Sequence, residues 1–370
     1  FLKFFRQVDR GVNPDLEINK FLTKQGRFNN VPAFIGAIEW KYENGGMVLG
    51  IMQEVIENST DAWTYILDRL DDYNERILSQ QQVLDHPALS GSIFDPVDYE
   101  QMPAVMKELL EAPVAERARL LGQRTGEMHL ALAAGVDDPN FKPEAYSLHY
   151  QRSLFAGFQS LVRGTFNNQD RNLKNLAPDV RQEAEEVLGM KDVILKLFKN
   201  IYKKKVDTDK IRIHGNFHLG QVLFTGKDFV ITDFEGEPAR SYSERRLKRS
   251  PLRDVASMIR SFHYAAYGGL FLDNQIRKED IAKLVPYAEQ WYHYMSGFFM
   301  KAYLETVKGS GFIPRSKEDI QILVTTFLLE KAIHELNHEL NNRPDWVVIP
   351  LRGIKELVKG SAKGVQMTIE

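Results

Sequence analysis

The sequence predicts an α+β protein with a small β-rich lobe at its start and a large, mainly helical lobe after it. Two apolar runs flank the Asn-Gly-Gly turn at 44–46, which is a strong signal for a β-hairpin. From about Asp61 onward, apolar residues recur at helical spacing, which indicates a succession of amphipathic helices. Two short apolar segments, 222–224 and 229–232, interrupt this helical region and predict a second hairpin in its middle.

We expect the first lobe to span residues 1–57 and the second to span 58–370. A helix is predicted near the start, because Asn13 can cap it and Pro14 suits its first position. The chain opens on FLKFFRQV, which has no initiator methionine and has the pattern of a strand around Lys3. We therefore expect the numbering to begin inside a longer protein.

Composition and charge limit the possible classes of function. The 370 residues are 43% hydrophobic and 26% charged, which is ordinary for a globular protein with a sizeable core. The net charge of −2 gives no electrostatic reason to expect nucleic acid or an anionic membrane as a partner. The absence of cysteine rules out disulfides and thiolate metal sites and is compatible with the cytoplasm. No apolar run in the sequence is long enough to span a bilayer.

Several residues occur in the order that a phosphoryl-transfer site needs. Such a site requires a cation for the nucleotide phosphates, oxygen ligands for a metal ion and a group that orients the attacking hydroxyl. Lys3 lies within the first predicted strand, and Glu17 on the following helix is a possible partner for it. Gln221 and Asp233 stand at the two ends of the second predicted hairpin, where both side chains can reach one metal ion.

The last predicted strand of the small lobe ends where a kinase would place its adenine-binding hinge. The segment in question consists of Gln53, Glu54, Val55 and Ile56. Its backbone groups could hydrogen-bond to an adenine. A plain strand end is the alternative interpretation.

Three segments resemble the bacterial maltokinases, relatives of the aminoglycoside phosphotransferases within the protein-kinase-like fold. These segments are HGNFHLGQ, DFEGEPAR and ERRLKRSPLRDVASMIRSFHYAA. The likeness also includes LKFFRQVDRGVNPDLEI near the start and EKAIHELNHELNNRPDWVVIPLRGI near the end. The resemblance implies a bilobal fold, ATP and Mg²⁺ as cofactors, and transfer of the γ-phosphate to the anomeric hydroxyl of maltose. Maltokinases often occur fused to, or complexed with, trehalose synthase, which is therefore the expected partner.

By the same resemblance, Lys3 would hold the ATP phosphates with Glu17 as its partner, and Gln221 and Asp233 would bind Mg²⁺. Asn216 falls on the catalytic aspartate of the family, which is a departure from the pattern. An asparagine keeps the shape and one acceptor oxygen of an aspartate, but it is neutral and a poor base. We therefore expect reduced turnover with nucleotide binding largely retained.

The acceptor site implied by the resemblance lies on a helix near the end of the chain. Maltokinases hold maltose with a Lys-Ala-x-Tyr-Glu helix, and this chain has Lys331 and Glu335 at the matching positions. His334 replaces the tyrosine, which is a second departure. A non-catalytic scaffold for trehalose synthase and a kinase for another sugar or small alcohol are the alternatives.

The same helix contains the pattern H-E-x-x-H, which competes with the sugar-site interpretation. On a helix His334 and His338 would share one face, as a zinc site needs, with Glu335 as the general base. A third ligand is required, and Asn341 stands where the longer form of the motif has glycine. Glu356 is a possible ligand, but nothing in the sequence singles it out.

Two further features bear on the site. The basic segment 240–253 is either a solvated loop or a segment close to anionic phosphates, and Asp254 after it could brace the catalytic loop. Trp63 could stack on a sugar ring, although its helical spacing favours a place in the core.

Overall fold

The structure is a computed structural model that describes residues 1–24, 28–43, 45–79, 89–272 and 276–366. Within these ranges a small lobe built on one sheet precedes a large helical lobe, as the sequence predicts. None of the described helices is both long and apolar enough to cross a lipid bilayer.

The small lobe is a three-stranded antiparallel sheet with one helix. Strands β1 (Leu2–Phe4), β2 (Phe34–Tyr42) and β3 (Gly45–Gln53) lie in the order β1-β3-β2. The antiparallel pairing of β2 with β3 confirms the first predicted hairpin, and position 44 of its turn lies outside the described residues. Lys3 and Ile51 are register partners, so their side chains share one face of the sheet.

Helix α1 (Pro14–Lys24) packs against that face. Its start is fixed by Asn13, whose side-chain oxygen accepts a hydrogen bond from the Leu16 backbone N–H at 3.0 Å, so the predicted cap is present. Leu16 also packs against a small apolar cluster formed by Phe5, Val48 and Ile51. The helix is therefore held close to the strand that carries Lys3.

The large lobe consists mainly of helices packed around one apolar core. Its helices are α2 (Ala62–Ser79), α3 (Ala104–Leu110), α4 (Ala112–Ala133), α5 (Leu148–Asn172), α6 (Pro178–Gly189), α7 (Lys191–Lys199), α8 (Tyr242–Arg245), α9 (Leu252–Leu272), α10 (Lys278–Thr306), α11 (Lys317–Asn342) and α12 (Val348–Gln366). Helix α9 lies at the centre and packs against α2, α10, α11 and α12.

Short strands interrupt the helices of the large lobe. They are β4 (Thr60–Asp61), β5 (Glu144–Ala145), β6 (Asp209–Lys210), β7 (Val222–Phe224) and β8 (Phe229–Ile231). Strands β7 and β8 form the second predicted hairpin, and β4 adds to it in the order β4-β7-β8.

The two lobes are joined through this second sheet. The backbone N–H of Ile231 on β8 donates to the carbonyl oxygen of Asn30 at 2.8 Å. The Asn30 side-chain amide donates in turn to the carbonyl oxygen of Phe229 at 2.9 Å. These bonds place the end of β8, and the acidic residues that follow it, against the small lobe.

Candidate active site

Lys3 is held by three carboxylates where the two lobes meet. Its Nζ lies 2.8 Å from Asp15 Oδ2, 2.6 Å from Asp233 Oδ1 and 2.7 Å from Glu235 Oε1. Burial alone would lower the pKa of Lys3, but the charges of Asp15 and Asp233 outweigh it and raise that pKa. The lysine is therefore a fixed cation that faces an acidic segment of the large lobe.

The predicted pairing of Lys3 with Glu17 is wrong. On a helix, residues two positions apart point about 200° away from each other, so only one of Asp15 and Glu17 can face Lys3. Asp15 takes that place. Glu17 instead accepts hydrogen bonds from Arg212 Nη1 at 2.6 Å and from Arg246 Nε and Nη2 at 2.9 and 2.7 Å.

Asp15 also ties α1 to the acidic segment after β8. Its Oδ1 accepts hydrogen bonds from the Phe234 backbone N–H at 3.0 Å and from the Asn19 side chain at 2.8 Å. Sequence reasoning missed this role, because an aspartate in the first turn of a helix is already explained by the helix dipole. The spacing of Lys3 before the helix gives no means of choosing Asp15 over Glu17.

The second hairpin brings Gln221 and Asp233 together, as expected. The Thr232 backbone N–H donates to the Gln221 carbonyl oxygen at 2.9 Å. The Gln221 side chain is close enough to Asp233 to help lower the pKa of its carboxyl group. Burial raises the pKa of Asp233, but the neighbouring Lys3 outweighs this and lowers it overall. Asp233 adopts φ of 63°, a left-handed conformation that is uncommon outside glycine and recurs at functional sites.

The acidic group near Lys3 has a composition suited to a divalent cation. Carboxylate oxygens of Asp15, Asp233 and Glu235 all lie within 4.8 Å of one another. Hard cations such as Mg²⁺ prefer oxygen ligands of this kind. Of the two predicted ligands, Asp233 belongs to this group and Gln221 lies near Asp233, whereas Glu235 was not predicted as a ligand.

Asp254 braces the loop that carries Asn216. One of its oxygens accepts a hydrogen bond from the His214 backbone N–H at 2.8 Å, and the other accepts from Gly215 N–H at 2.9 Å. His129 Nε2 lies 3.1 Å from the first of these oxygens. Although burial raises the pKa of Asp254, its contacts with His129 lower it overall, so the carboxylate stays ionised. The expectation that Asp254 braces the loop thus fits the geometry.

The turn before Asn216 requires a glycine. Gly215 has φ of 84°, and a Cβ built on it would lie 3.4 Å from the Cα of Gly236. The loop and the segment after Asp233 therefore run close together. The half-buried Asn216 side chain then faces a cavity on the large-lobe side.

This cavity has a volume of about 850 Å³ and brings together the predicted catalytic and acceptor residues. Asn216, Lys331, His334 and Glu335 all line it. Aromatic rings also line the cavity, including Trp63, which packs against the core as its helical spacing indicates. Trp346, which sequence reasoning missed, stacks against Tyr264 with ring centroids 6.3 Å apart.

The acidic residues of α11 that line the cavity are neutralised by arginines. Glu330 pairs with Arg253 at 2.8 Å, and Glu335 pairs with Arg260 at 2.8 Å. Glu335 thus serves to hold Arg260 as well as to line the cavity. A general-base role for Glu335 in a zinc site is not supported by this pairing.

The described residues also give the zinc hypothesis no third ligand. His338 lies beside the amide of Asn342, with Nδ1 and Nδ2 3.4 Å apart. Within the described ranges, the residues placed to share one metal ion are Asp15, Asp233 and Glu235, and none is on α11.

The predicted hinge lies at the end of β3. Gln53 is buried and its backbone N–H donates to the Phe1 carbonyl oxygen at 2.9 Å. Glu54 donates from its backbone to the Ala33 carbonyl oxygen at 2.9 Å, whereas the Val55 side chain is exposed. The regular strand ends at Gln53, so Glu54 to Ile56 form the start of the link to the large lobe.

Replacing Glu17 by glutamine should destabilise the protein by about 3–5 kcal/mol, the usual effect of leaving a buried charge unpaired. The reason is that the Arg212 side chain is only 1% exposed and has Glu17 as its ion-pair partner. Urea unfolding measures this loss. Glu185→Gln is the matched control, since Glu185 is exposed on α6, and it should change stability by less than about 0.5 kcal/mol. Equal midpoints for the two variants would contradict the structural role of Glu17.

His218 should titrate far below an ordinary histidine. Burial first, and then the charge of Lys331, lower the pKa of His218 from 6.5 to about 4. As the pH falls, His218 is protonated in the unfolded chain before it is protonated in the folded protein. The stability that neutral His218 contributes is therefore lost as the pH falls from 6.5 towards 4. NMR of the imidazole should show a higher pKa in Lys331→Met and no change in Lys196→Met, which alters an exposed lysine on α7. Identical titrations in both variants would contradict the proximity of Lys331.

The chain is similar to glucosamine kinases. It is 22% identical over 248 residues to a glucosamine kinase of Streptacidiphilus jiangxiensis, covering 65% of this chain and 49% of that relative. A glucosamine kinase of Mycolicibacterium smegmatis is 44% identical over 54 residues, which are 14% of this chain and 13% of the relative. The chain thus spans about half the length of the first curated relative and a small part of the second. No family model matches the chain.

A solved glucosamine kinase in complex with glucosamine, ADP and inorganic phosphate shares the fold. Its TM-score is 0.68 at 16% identity, over 96% of this chain and 71% of that chain. The expected bilobal, kinase-like α+β fold is therefore confirmed. These relatives are glucosamine kinases, so they do not support the narrower resemblance to maltokinases.

Proposed function

We propose that this chain is the phosphotransferase part of an ATP-dependent sugar kinase. The observation that carries the proposal is the placement of two groups on either side of one loop. Lys3 and Asp233 form an ion pair between the lobes, and Asn216 faces a cavity of about 850 Å³ in the large lobe. A nucleotide on one side and a hydroxyl acceptor on the other would meet at this loop. The similarity to glucosamine kinases supports the same reaction class.

The nucleotide would lie between the lobes. Lys3 would contact its phosphates, and the link from Gln53 to Ile56 would offer backbone groups to the adenine. Asp233, with Gln221 and Glu235, would hold Mg²⁺, whose bound charge would neutralise the phosphate oxygens. Glu17 would act on the nucleotide site only indirectly, by fixing α1 through Arg212 and Arg246.

The acceptor would be a sugar bound in the cavity, with Lys331, His334 and Glu335 along one wall. Aromatic rings such as Trp63 and Trp346 provide flat apolar faces against which a sugar ring can pack. We favour maltose, on the resemblance of the segments around Asn216 and Lys331. Trehalose synthase is then the proposed partner, in the same chain or in a complex.

Glucosamine is the second candidate, because the curated relatives are glucosamine kinases. Its ammonium group would need a free carboxylate. Glu330 and Glu335 on the cavity wall are both paired with arginines. Glu237 on the same lining has no ion-pair partner in the described part of the chain, so it is the carboxylate that such an ammonium group would meet. A non-catalytic scaffold is a further candidate, and Asn216 is the observation that favours it.

An acceptor panel separates these candidates. The protein and its Asn216→Asp variant are incubated with ATP and Mg²⁺ and with maltose, glucosamine or glucose, and ADP release is followed. We expect the highest kcat/KM with maltose. A higher value with glucosamine would show that glucosamine, not maltose, is the acceptor. If neither protein released ADP in response to any acceptor, the non-catalytic scaffold would be the remaining candidate.

A further inference from the structure

We infer that the cavity contains a built anion site, centred on Arg249, that binds the phosphate group of the phosphorylated sugar. The inference rests on the proposed function and adds to it the group that receives the transferred phosphoryl on the acceptor side. Arg240 and Lys331 complete the site.

The backbone of Arg249 is paired with the segment that leads into the catalytic loop. Its backbone N–H donates to the Ile211 carbonyl oxygen at 2.8 Å, and its carbonyl oxygen accepts from the Ile211 N–H at 3.0 Å. Ile211 lies three residues before His214, so this bridge joins the basic segment to the loop that carries Asn216. The Arg249 side chain is half-buried and lines the same cavity as Asn216.

Three positive side chains on the cavity lining have no ion-pair partner among the described residues. Arg240, Arg249 and Lys331 line the cavity, and none forms an ion pair or a side-chain hydrogen bond within the described part of the chain. Arg253 on the same lining differs, because Glu330 neutralises it. Three unpaired cations in one cavity raise the free energy of the folded protein unless an anion binds there.

Carboxylates nearby do not cancel this charge. Glu244 lines the cavity but closes the cap of α8, where it accepts hydrogen bonds from Ser241 N at 3.1 Å and Ser241 Oγ at 3.0 Å. Of the other carboxylates on the lining, Asp254 accepts from the loop backbone, Glu339 pairs with Arg343, and Glu237 is left against three cations. The electrostatic environment of Arg249 agrees with this excess of positive charge. Burial, and then Arg253 and Arg240, lower the pKa of Arg249.

A phosphate monoester matches this arrangement. It carries about two negative charges and three acceptor oxygens, and a guanidinium fork binds such oxygens in pairs. In the proposed reaction the bond from the γ-phosphorus to the bridging oxygen of ATP breaks. A bond from the acceptor oxygen to that phosphorus forms, and the hydroxyl proton passes to solvent water, because Asn216 takes up no proton. The phosphoryl charge thus moves from the Lys3 side to the Asn216 side, where Arg249, Arg240 and Lys331 can receive it.

The test compares a phosphorylated and a neutral sugar by calorimetric titration without nucleotide. Maltose 1-phosphate and maltose are the probes, and Arg249→Gln, Arg249→Lys and Arg163→Gln are the variants. Arg163 is exposed on α5 and serves as the matched control. Arg249→Gln should weaken maltose 1-phosphate binding roughly 10- to 100-fold, the range for hydrogen bonds to charged groups. Its affinity for maltose should change less than about twofold, and Arg249→Lys should lie between wild type and Arg249→Gln.

Equal loss of affinity for both sugars, or no loss for the phosphate ester, would overturn the inference. Thermal melting of each variant shows whether it is folded, and Arg249→Lys keeps the test valid if Arg249→Gln unfolds. ATP-dependent sugar phosphorylation together with unchanged ester binding in Arg249→Gln would reject the anion site alone. Selective loss of ester binding in a protein that phosphorylates no sugar would support the site and reject the proposed catalysis.

Discussion

Replacing Asn216 by aspartate should raise the turnover number with the preferred sugar by about 10²–10⁴-fold, the usual contribution of a general base. The reason is that the Asn216 amide accepts a hydrogen bond from a hydroxyl but takes up no proton. The scaffold that positions this side chain is already complete, since Asp254 holds the backbone of His214 and Gly215 at 2.8 and 2.9 Å. The KM for ATP should change little, because Lys3 and its carboxylate partners, which would contact the nucleotide, are on the other side of the loop.

Initial rates of ADP release measure this effect. The matched control is Asn175→Asp, which introduces the same charge at an exposed position in the turn after α5. It should leave kcat and KM unchanged. An Asn216→Asp variant as slow as the wild type would contradict a base role for this position. A higher turnover number in both variants would show that the added negative charge, and not its position, causes the effect.

Replacing Asp233 by asparagine should abolish most of the activity, with a fall in kcat of about 10³–10⁵-fold, the scale of charge-stabilising groups in phosphoryl transfer. The substitution should be folded, because asparagine tolerates the left-handed φ of 63° at this position. Lys3 also keeps Asp15 and Glu235 as partners, at 2.8 and 2.7 Å. The loss therefore reports on metal and phosphate binding.

The effect is best measured in the faster Asn216→Asp background. Asp170→Asn, an exposed position on α5, is the matched control and should leave the rate unchanged. Titration with Mg²⁺ in the presence of ADP should show weaker metal binding in Asp233→Asn. Unchanged turnover at saturating Mg²⁺ would contradict the role of Asp233.

Much of the fold could be predicted from local patterns. The turn at 44–46, the cap at Asn13 and the apolar segments of β7 and β8 are local signals, and the structure confirms the elements that they predict. The hairpin also explains why Gln221 and Asp233 meet, because its two ends must lie side by side. Such inferences need no knowledge of how distant helices pack.

The partners of charged residues could not be predicted in this way. Whether Asp15 or Glu17 faces Lys3 depends on the rotation of α1 about its axis, which is set by packing against β3. Likewise, Glu17 meets Arg212 and Arg246, which are 195 and 229 residues away in sequence. The apolar spacing of Trp63 correctly indicates contact with the core, but it does not show that the same side chain also lines the cavity. The side-chain pattern of one helix cannot show where the neighbouring helices leave a cavity beside it.

The most direct test of the central claim is phosphorus NMR of the Asn216→Asp protein with ATP, Mg²⁺ and maltose. We predict that a sugar phosphate ester resonance appears as the γ-phosphate signal of ATP declines. It should be absent from the Asn216→Asp/Asp233→Asn double variant. Loss of the γ-phosphate signal to inorganic phosphate alone, or no reaction with maltose, glucosamine or glucose while ATP still binds, would contradict a sugar kinase.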